Sequence, residues 1–154
     1  MYLDQKITTL NIPCCLLLAV TDVDPDYVRL DISMADGTFS GRVDVYERPG
    51  LAAALAAELH GFPRSPTDRR EVVLGSFDPA VAGGGLRLVF RCLDRSGHAI
   101  VEADLEDQPV DGNAPRFARL RMPVDATAID SFVADLSGWS AMVGGWVILR
   151  GVAQ

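Results

Sequence analysis

Strict alternation is the clearest pattern in the chain. From Tyr27 to Met34, apolar Val28, Leu30, Ile32 and Met34 interleave with Tyr27, Arg29, Asp31 and Ser33. A period of two predicts a strand with one buried face. Asp36-Gly37 supplies a hairpin turn, and Thr38 to Tyr46 resumes the alternation with Phe39, Gly41, Val43 and Val45 on one side. Pairing Ala35 with Thr38 sets Met34 against Phe39, Leu30 against Val43 and Val28 against Val45. The same register sets Arg29 against Asp44 and Asp31 against Arg42. A one-residue slip would spoil both faces together.

A second hairpin reads the same way. Leu86 to Leu93 and His98 to Leu105 flank Asp94-Arg-Ser-Gly97, and pairing Leu93 with His98 sets Phe90 against Val101, Leu88 against Ala103 and Arg87 against Asp104. Glu71–Phe77 and Arg116–Met122 are further strands, the latter with Ala118, Leu120 and Met122 inward and Phe117, Arg119 and Arg121 outward. Pro49–Gly61 predicts a helix, with Leu51, Leu55 and Leu59 on one stripe, proline in the first turn and Gly61 at the stop. Ala126–Ser137 predicts another, capped by Asp125 and carrying Ile129, Phe132, Val133 and Leu136 on one face. Apolar strands are expected near both ends, within Ile12–Val20 and at Trp146–Arg150.

These elements give an α+β fold: a mainly antiparallel sheet of six or more strands, with two helices packed on one face. The alternating strands call for one wet face. One domain spans residues 1–154, with an N-terminal apolar arm (1–20) and a C-terminal apolar strand and tail (140–154).

Composition narrows the function classes. The 154 residues are 49% hydrophobic and 23% charged, ordinary globular usage. A net charge of −7 argues against a nucleic-acid partner, whose phosphates demand basic groups. Cys14, Cys15 and Cys92 form no disulfide framework, and as small buried hydrophobes they fit a reducing, cytoplasmic setting. The run Ile12–Val20 lacks the flanks of a signal peptide and falls short of a membrane span, so no membrane association is expected.

Candidate chemistry is sparse. Asp22-Val-Asp-Pro-Asp26 opens like a calcium loop, but Tyr27 and Ser33 stand where glycine and glutamate are needed. Gly83-Gly-Gly85 leads into a strand rather than a helix, so it makes no phosphate cradle. His60 ends a helix; His98 follows a turn, with Ser96 as its poorly placed neighbour. Glu102 and Asp104 could pair as an acid and base, but Arg87 claims Asp104. No catalytic, cofactor or metal residue is assigned. What remains is the polar side of the strands. Arg29, Arg42, Arg87, Arg91, Arg119 and Arg121, with Tyr27, Tyr46 and His98, make a candidate interaction surface, arginine and tyrosine being enriched at protein contacts.

Gly85-Leu-Arg-Leu88, Asp94-Arg-Ser-Gly-His98, the alternation to Leu105, Phe117 and the helix Ile129–Leu136 together resemble a family of small uncharacterised bacterial proteins, some similar to immunity proteins of toxin systems. The likeness covers Tyr27 to Leu136. It implies a small α+β fold without established catalysis and assigns no functional residue. Two functions are therefore expected to compete. One is a non-catalytic protein-interaction module, of immunity type if its acidic charge matches a basic toxin. The other is a small-ligand-binding domain or minor enzyme with a pocket between the sheet and the Pro49–Gly61 helix. The apolar strands near the chain ends further predict a homodimer.

Overall fold

The computed structural model describes residues 13–108 and 114–153. Residues 1–12 of the expected arm, residues 109–113 and residue 154 lie outside the described residues. The described elements follow in the order β1 (Cys14–Val23), β2 (Val28–Asp36), β3 (Ser40–Glu47), α1 (Leu51–Leu59), β4 (Arg69–Gly75), β5 (Gly85–Cys92), β6 (His98–Asp107), β7 (Arg116–Asp125), α2 (Ala126–Ser137) and β8 (Trp146–Arg150). The fold is α+β, with antiparallel strands and two helices. The eight strands divide into two four-stranded sheets, ordered β3-β2-β1-β8 and β4-β5-β6-β7. The apolar faces of both sheets and the buried stripes of both helices share one main core. The helices pack on one another, with α1 against β4 and α2 against β7 and β8.

The second hairpin has the register its alternation predicts: Leu86 pairs with Leu105, Leu88 with Ala103 and Phe90 with Val101. In the first hairpin the faces hold but the pairing moves by two residues. Leu30 pairs with Val45, Ile32 with Val43 and Arg29 with Tyr46. The turn is Gly37-Thr38 rather than Asp36-Gly37. Asp36 N–H donates to the Phe39 carbonyl at 3.0 Å, and the Asp36 carboxylate accepts from the amides of Thr38 and Phe39. Gly37, at φ 95°, occupies the left-handed first turn position that glycine favours. Phe39 consequently stands at the hairpin tip, 69% exposed, instead of on the inner face. A two-residue shift preserves parity, so Val28, Leu30, Ile32, Met34, Val43 and Val45 stay buried together while Phe39 leaves the inner set.

β1 is central, between β2 and β8, and its residues Cys14 to Val20 are buried on both faces. Leu16, Leu18 and Val20 join the main core; Cys15, Leu17 and Ala19 form a second apolar cluster with Ile148. Trp146–Arg150 pairs with β1 and closes this sheet on one side.

The sheets meet where β3 crosses the Gly75–Gly85 end of the second sheet. The registers put Gly75, Gly85, Glu106 and Phe117 in one transverse row. A Cβ on Gly41 would lie 3.4 Å from that of Ala118, and one on Gly75 would lie 2.8 Å from Val45. A Cβ on Gly84 would come within 2.4 Å of the Glu106 carbonyl and 2.5 Å of Val43. Hydrogen bonds pin the crossing: Gly84 N–H donates to the Asp44 carbonyl and Gly75 N–H to the Glu47 carboxylate, both at 2.8 Å. Gly84→Ala should cost about 2–3 kcal/mol through forced overpacking. Gly138→Ala, whose Cβ would meet nothing closer than 3.9 Å at φ −97°, should stay within about 0.5 kcal/mol of the parent when both variants are unfolded in urea.

The end of α1 depends on a side chain from outside the helix. Arg70 donates to the carbonyls of Glu58 and His60 at 3.0 and 2.6 Å, pairs with Asp68 at 2.9 Å, and lies 5.4 Å from the centre of the Phe62 ring. Its hydrogen bond holds the Asp68 carboxyl below the usual range, against a smaller opposing effect of burial. Arg70→Ala would leave these acceptors without their donor and should cost about 2–3 kcal/mol at neutral pH. A lowered carboxylate contributes stability above its unfolded value and loses it as pH falls through its folded value. The gap between Arg70→Ala and the parent should therefore shrink in acid, as urea titrations from neutral pH to below the carboxylate range would measure.

Candidate interaction surface

The predicted surface residues fall into two groups, because the strands form two sheets. Tyr27, Arg29, Arg42 and Tyr46 lie on the outer side of the first sheet; Arg87, Arg91, Arg119 and Arg121 lie on the outer side of the second, with His98 at its margin. The two groups therefore belong to different sheets, and Arg42 and Asp44 of the first share a cleft with Arg116 and Phe117 of the second.

On the first sheet the polar residues are tied into local pairs. Arg29 faces Tyr46 across the ladder, reaches diagonally to Asp44 at 2.5 Å and lies 5.5 Å from the Tyr46 ring centre. Tyr46 meets Tyr27 edge to face at 5.3 Å. The Tyr27 hydroxyl donates to Asp22 at 3.1 Å, which holds its proton above the ordinary phenol range. Arg42 pairs with the nearly buried Asp31.

The second sheet carries the more open face. Its registers generate a grid: Val73, Arg87, Asp104 and Arg119 in one row, Glu71, Val89, Glu102 and Arg121 in the next, and Arg69, Arg91, Ile100 and Pro123 in a third. Arg87 donates to Glu71 at 2.6 Å and lies 3.6 Å from Asp104. Arg119 donates to Asp104 at 2.7 Å, Arg91 to Glu102, and Arg121 stands 3.8 Å from Glu102. The Arg87 hydrogen bond lowers the Glu71 carboxyl below its usual range. Sequence reasoning missed Glu71, although the alternation of Arg69, Glu71 and Val73 with Arg70, Val72 and Leu74 carries the signal.

Exposure is unequal between the partners. The Asp104 side chain is 16% exposed and that of Glu102 31%, against 66% for Arg119 and 61% for Arg121. The acids lie beneath the arginines, so the face presents guanidinium edges even though the chain is acidic overall. Apolar groups frame it. Val73 is exposed on β4 and Phe117 on β7, with Arg119 lying 5.9 Å from the Phe117 ring centre.

The other candidates are held in structural roles. His98 Nδ1 is 2.6 Å from the Asp94 carboxylate, in an Asp94–His98 turn that also accepts amides from Ser96 and His98. Parity places Cys92 on the core side of β5 and His98 on the outer side of β6, so they form no nucleophile–base pair. Burial, and then neighbouring Cys14, push the Cys15 thiol up to about 11, leaving it protonated at neutral pH. Among the described residues, no three His, Cys, Asp or Glu side chains gather as metal ligands. The groove between α1 and β4 has a volume of about 270 Å³ and is lined by Glu47, Glu58, Glu71 and apolar neighbours. Glu47 and Glu71 there are already bound to Gly75 and Arg87. No described helix is long and apolar enough to cross a membrane.

No protein-family model, curated protein or solved structure matches the chain. Arg87→Ala should raise the Glu71 pKa toward the ordinary carboxylate value, measurable by carbon-detected NMR titration. The melting temperature should move less than in Gly84→Ala, because exposed ion pairs contribute little.

Proposed function

We propose that the protein is a non-catalytic interaction module that docks a protein partner on the outer face of its second sheet. The observation that carries this reading is the unequal burial of the ladder. Half-sunk Asp104 and Glu102 orient Arg87, Arg91, Arg119 and Arg121, whose remaining N–H groups stay exposed between Val73 and Phe117. Carboxylates beneath the arginines reduce the side-chain freedom lost on docking, and preorganised arginine with an adjacent aromatic ring is a common contact chemistry. The partner this face suits presents carboxylates around an apolar centre.

The test is crosslinking with mass spectrometry on the purified chain and its captured partner. The double variant Arg119→Glu/Arg121→Glu should keep the parent melting temperature, since Arg87 and Arg91 still neutralise Asp104 and Glu102. It should weaken capture more than tenfold at moderate salt, and parent crosslinks should map to β5–β7. Undiminished capture by the variant, or crosslinks confined to other faces, would refute the reading.

An immunity-type role is the second reading, favoured by the net charge of −7 and the acidic segment at the end of β1, where Asp22 and Asp26 are exposed and Asp24 is half-buried. A basic toxin would be lost on neutralising those three acids and retained by the arginine variant.

A further inference from the structure

Phe39 is the most exposed large apolar side chain among the described residues, at 69%. Its backbone is nevertheless fixed. The Asp36 carboxylate accepts from the Thr38 and Phe39 amides at 2.9 and 2.8 Å, and from the Arg121 amide of β7. One carboxylate thus separates the Phe39 amide from that of Arg121, and the hairpin tip is tied to β7. Behind the tip, β3 passes close to the same strand: a Cβ on Gly41 would lie 3.4 Å from Ala118 and 3.6 Å from Leu120. Ser40 and Phe117 line one cleft. The Phe39 ring therefore stands in water on a rigid base at the border of the arginine face.

Phe117, 59% exposed, is the second ring on this border. It precedes Arg121 by four residues, a span of about 13 Å along an extended strand. Arg119 falls between them, its guanidinium 5.9 Å from the Phe117 ring centre and its side chain 66% exposed. From Phe117 to the hairpin tip the border presents a ring, a cation and a ring. A lone exposed apolar residue is ordinary on a protein surface. Two rings at a fixed spacing about one oriented guanidinium form a pattern that a ligand can match.

We infer that this border takes an extended acidic segment of a partner protein, with apolar residues four positions apart and a carboxylate midway between them. One apolar side chain packs on Phe117, the other on Phe39, and the carboxylate meets Arg119. The inference rests on the docking reading above and narrows its partner. Charge and spacing select this occupant. The outward guanidinium layer favours a carboxylate at the middle position. Alternate side chains of an extended chain share a face, so the first, third and fifth residues meet the border together, the outer two about 13 Å apart. In a helix, residues four apart lie only about 6 Å from each other, too close to reach both rings. The pinned tip and the tethered arginine leave little to order on contact.

The probe is a fluorescein-labelled peptide of sequence Asp-Leu-Thr-Glu-Thr-Leu-Asp, followed by fluorescence anisotropy with the full chain. It should bind saturably. Phe39→Ser and Phe117→Ser should each raise the dissociation constant more than about fivefold, with melting temperatures unchanged because both rings are exposed. The peptide Asp-Thr-Leu-Glu-Leu-Thr-Asp, of the same composition and charge but with its leucines two positions apart, should bind more weakly by a similar factor. Absence of binding, or binding indifferent to Phe39→Ser or to the leucine spacing, would overturn the inference. Crosslinks of the captured partner to β5–β7 test the docking reading itself. A peptide held by Arg119 and Arg121 without Phe39 would therefore sink only the narrower proposal.

Discussion

The structure depends on the close approach of β3 to the end of the second sheet. Two sheets with apolar inner faces can pack only if their corners come together without leaving unfilled space or unpaired backbone. Here the corner is solved by removing side chains. Gly75 and Gly84 gather on the far side of the crossing, and Gly41 lies on β3 itself. Val43 and Val45 fill the space that those glycines vacate. The backbone groups exposed by the approach are then satisfied across it, by the Asp44 carbonyl and the Glu47 carboxylate. A methyl group at this corner would have to move backbone, whereas a change on an open strand face moves only a flexible side chain.

That corner also explains which parts of the fold were legible. Parity is a local property, so the inward sets of β2, β3, β5, β6 and β7 follow from alternation alone. The Asp125 cap does too, its carboxylate accepting from Ala128 at 2.8 Å. The register of the first hairpin is less local. Arg29–Asp44 and Arg42–Asp31 form under either of two registers differing by two residues, because long arginines reach diagonal neighbours as readily as opposite ones. The Gly37 turn decides between them. Division into two sheets is not local at all: β3 and β4 are consecutive strands, yet α1 intervenes and they belong to different sheets. The triple glycine reads as a flexible connection in sequence because the partner that requires it, Val43, lies forty residues away.

The same distinction governs the candidate surface. Sequence alternation finds the arginines and assigns Arg87 to Asp104 correctly. It cannot place Arg29 and Arg87 on different sheets, nor see that Glu71 is the nearer partner of Arg87. What neither charge counting nor periodicity reveals is depth. A face with nearly balanced charge looks neutral in sequence, but burying the acids below the guanidinium groups gives it a cationic outer layer on an anionic molecule.

Depth matters physically because an ion pair and a docking group make opposite demands on the same arginine. A fully buried pair would spend its donors internally, and a fully exposed one would leave the side chain free to move, with ordering entropy lost on contact. Arg119 lies between these limits. Its Nε donates to Asp104 at 2.7 Å, and its guanidinium lies 5.9 Å from the Phe117 ring centre while most of the side chain stays exposed. Val89, flanked on its own strand by Arg87 and Arg91, is buried although it points outward, so the arginine stems close over the middle of the face as their heads remain in water. The sheet thus carries a dry layer of aliphatic stems beneath a wet layer of oriented donors. Such a layer can meet carboxylates on another surface without first having to assemble itself.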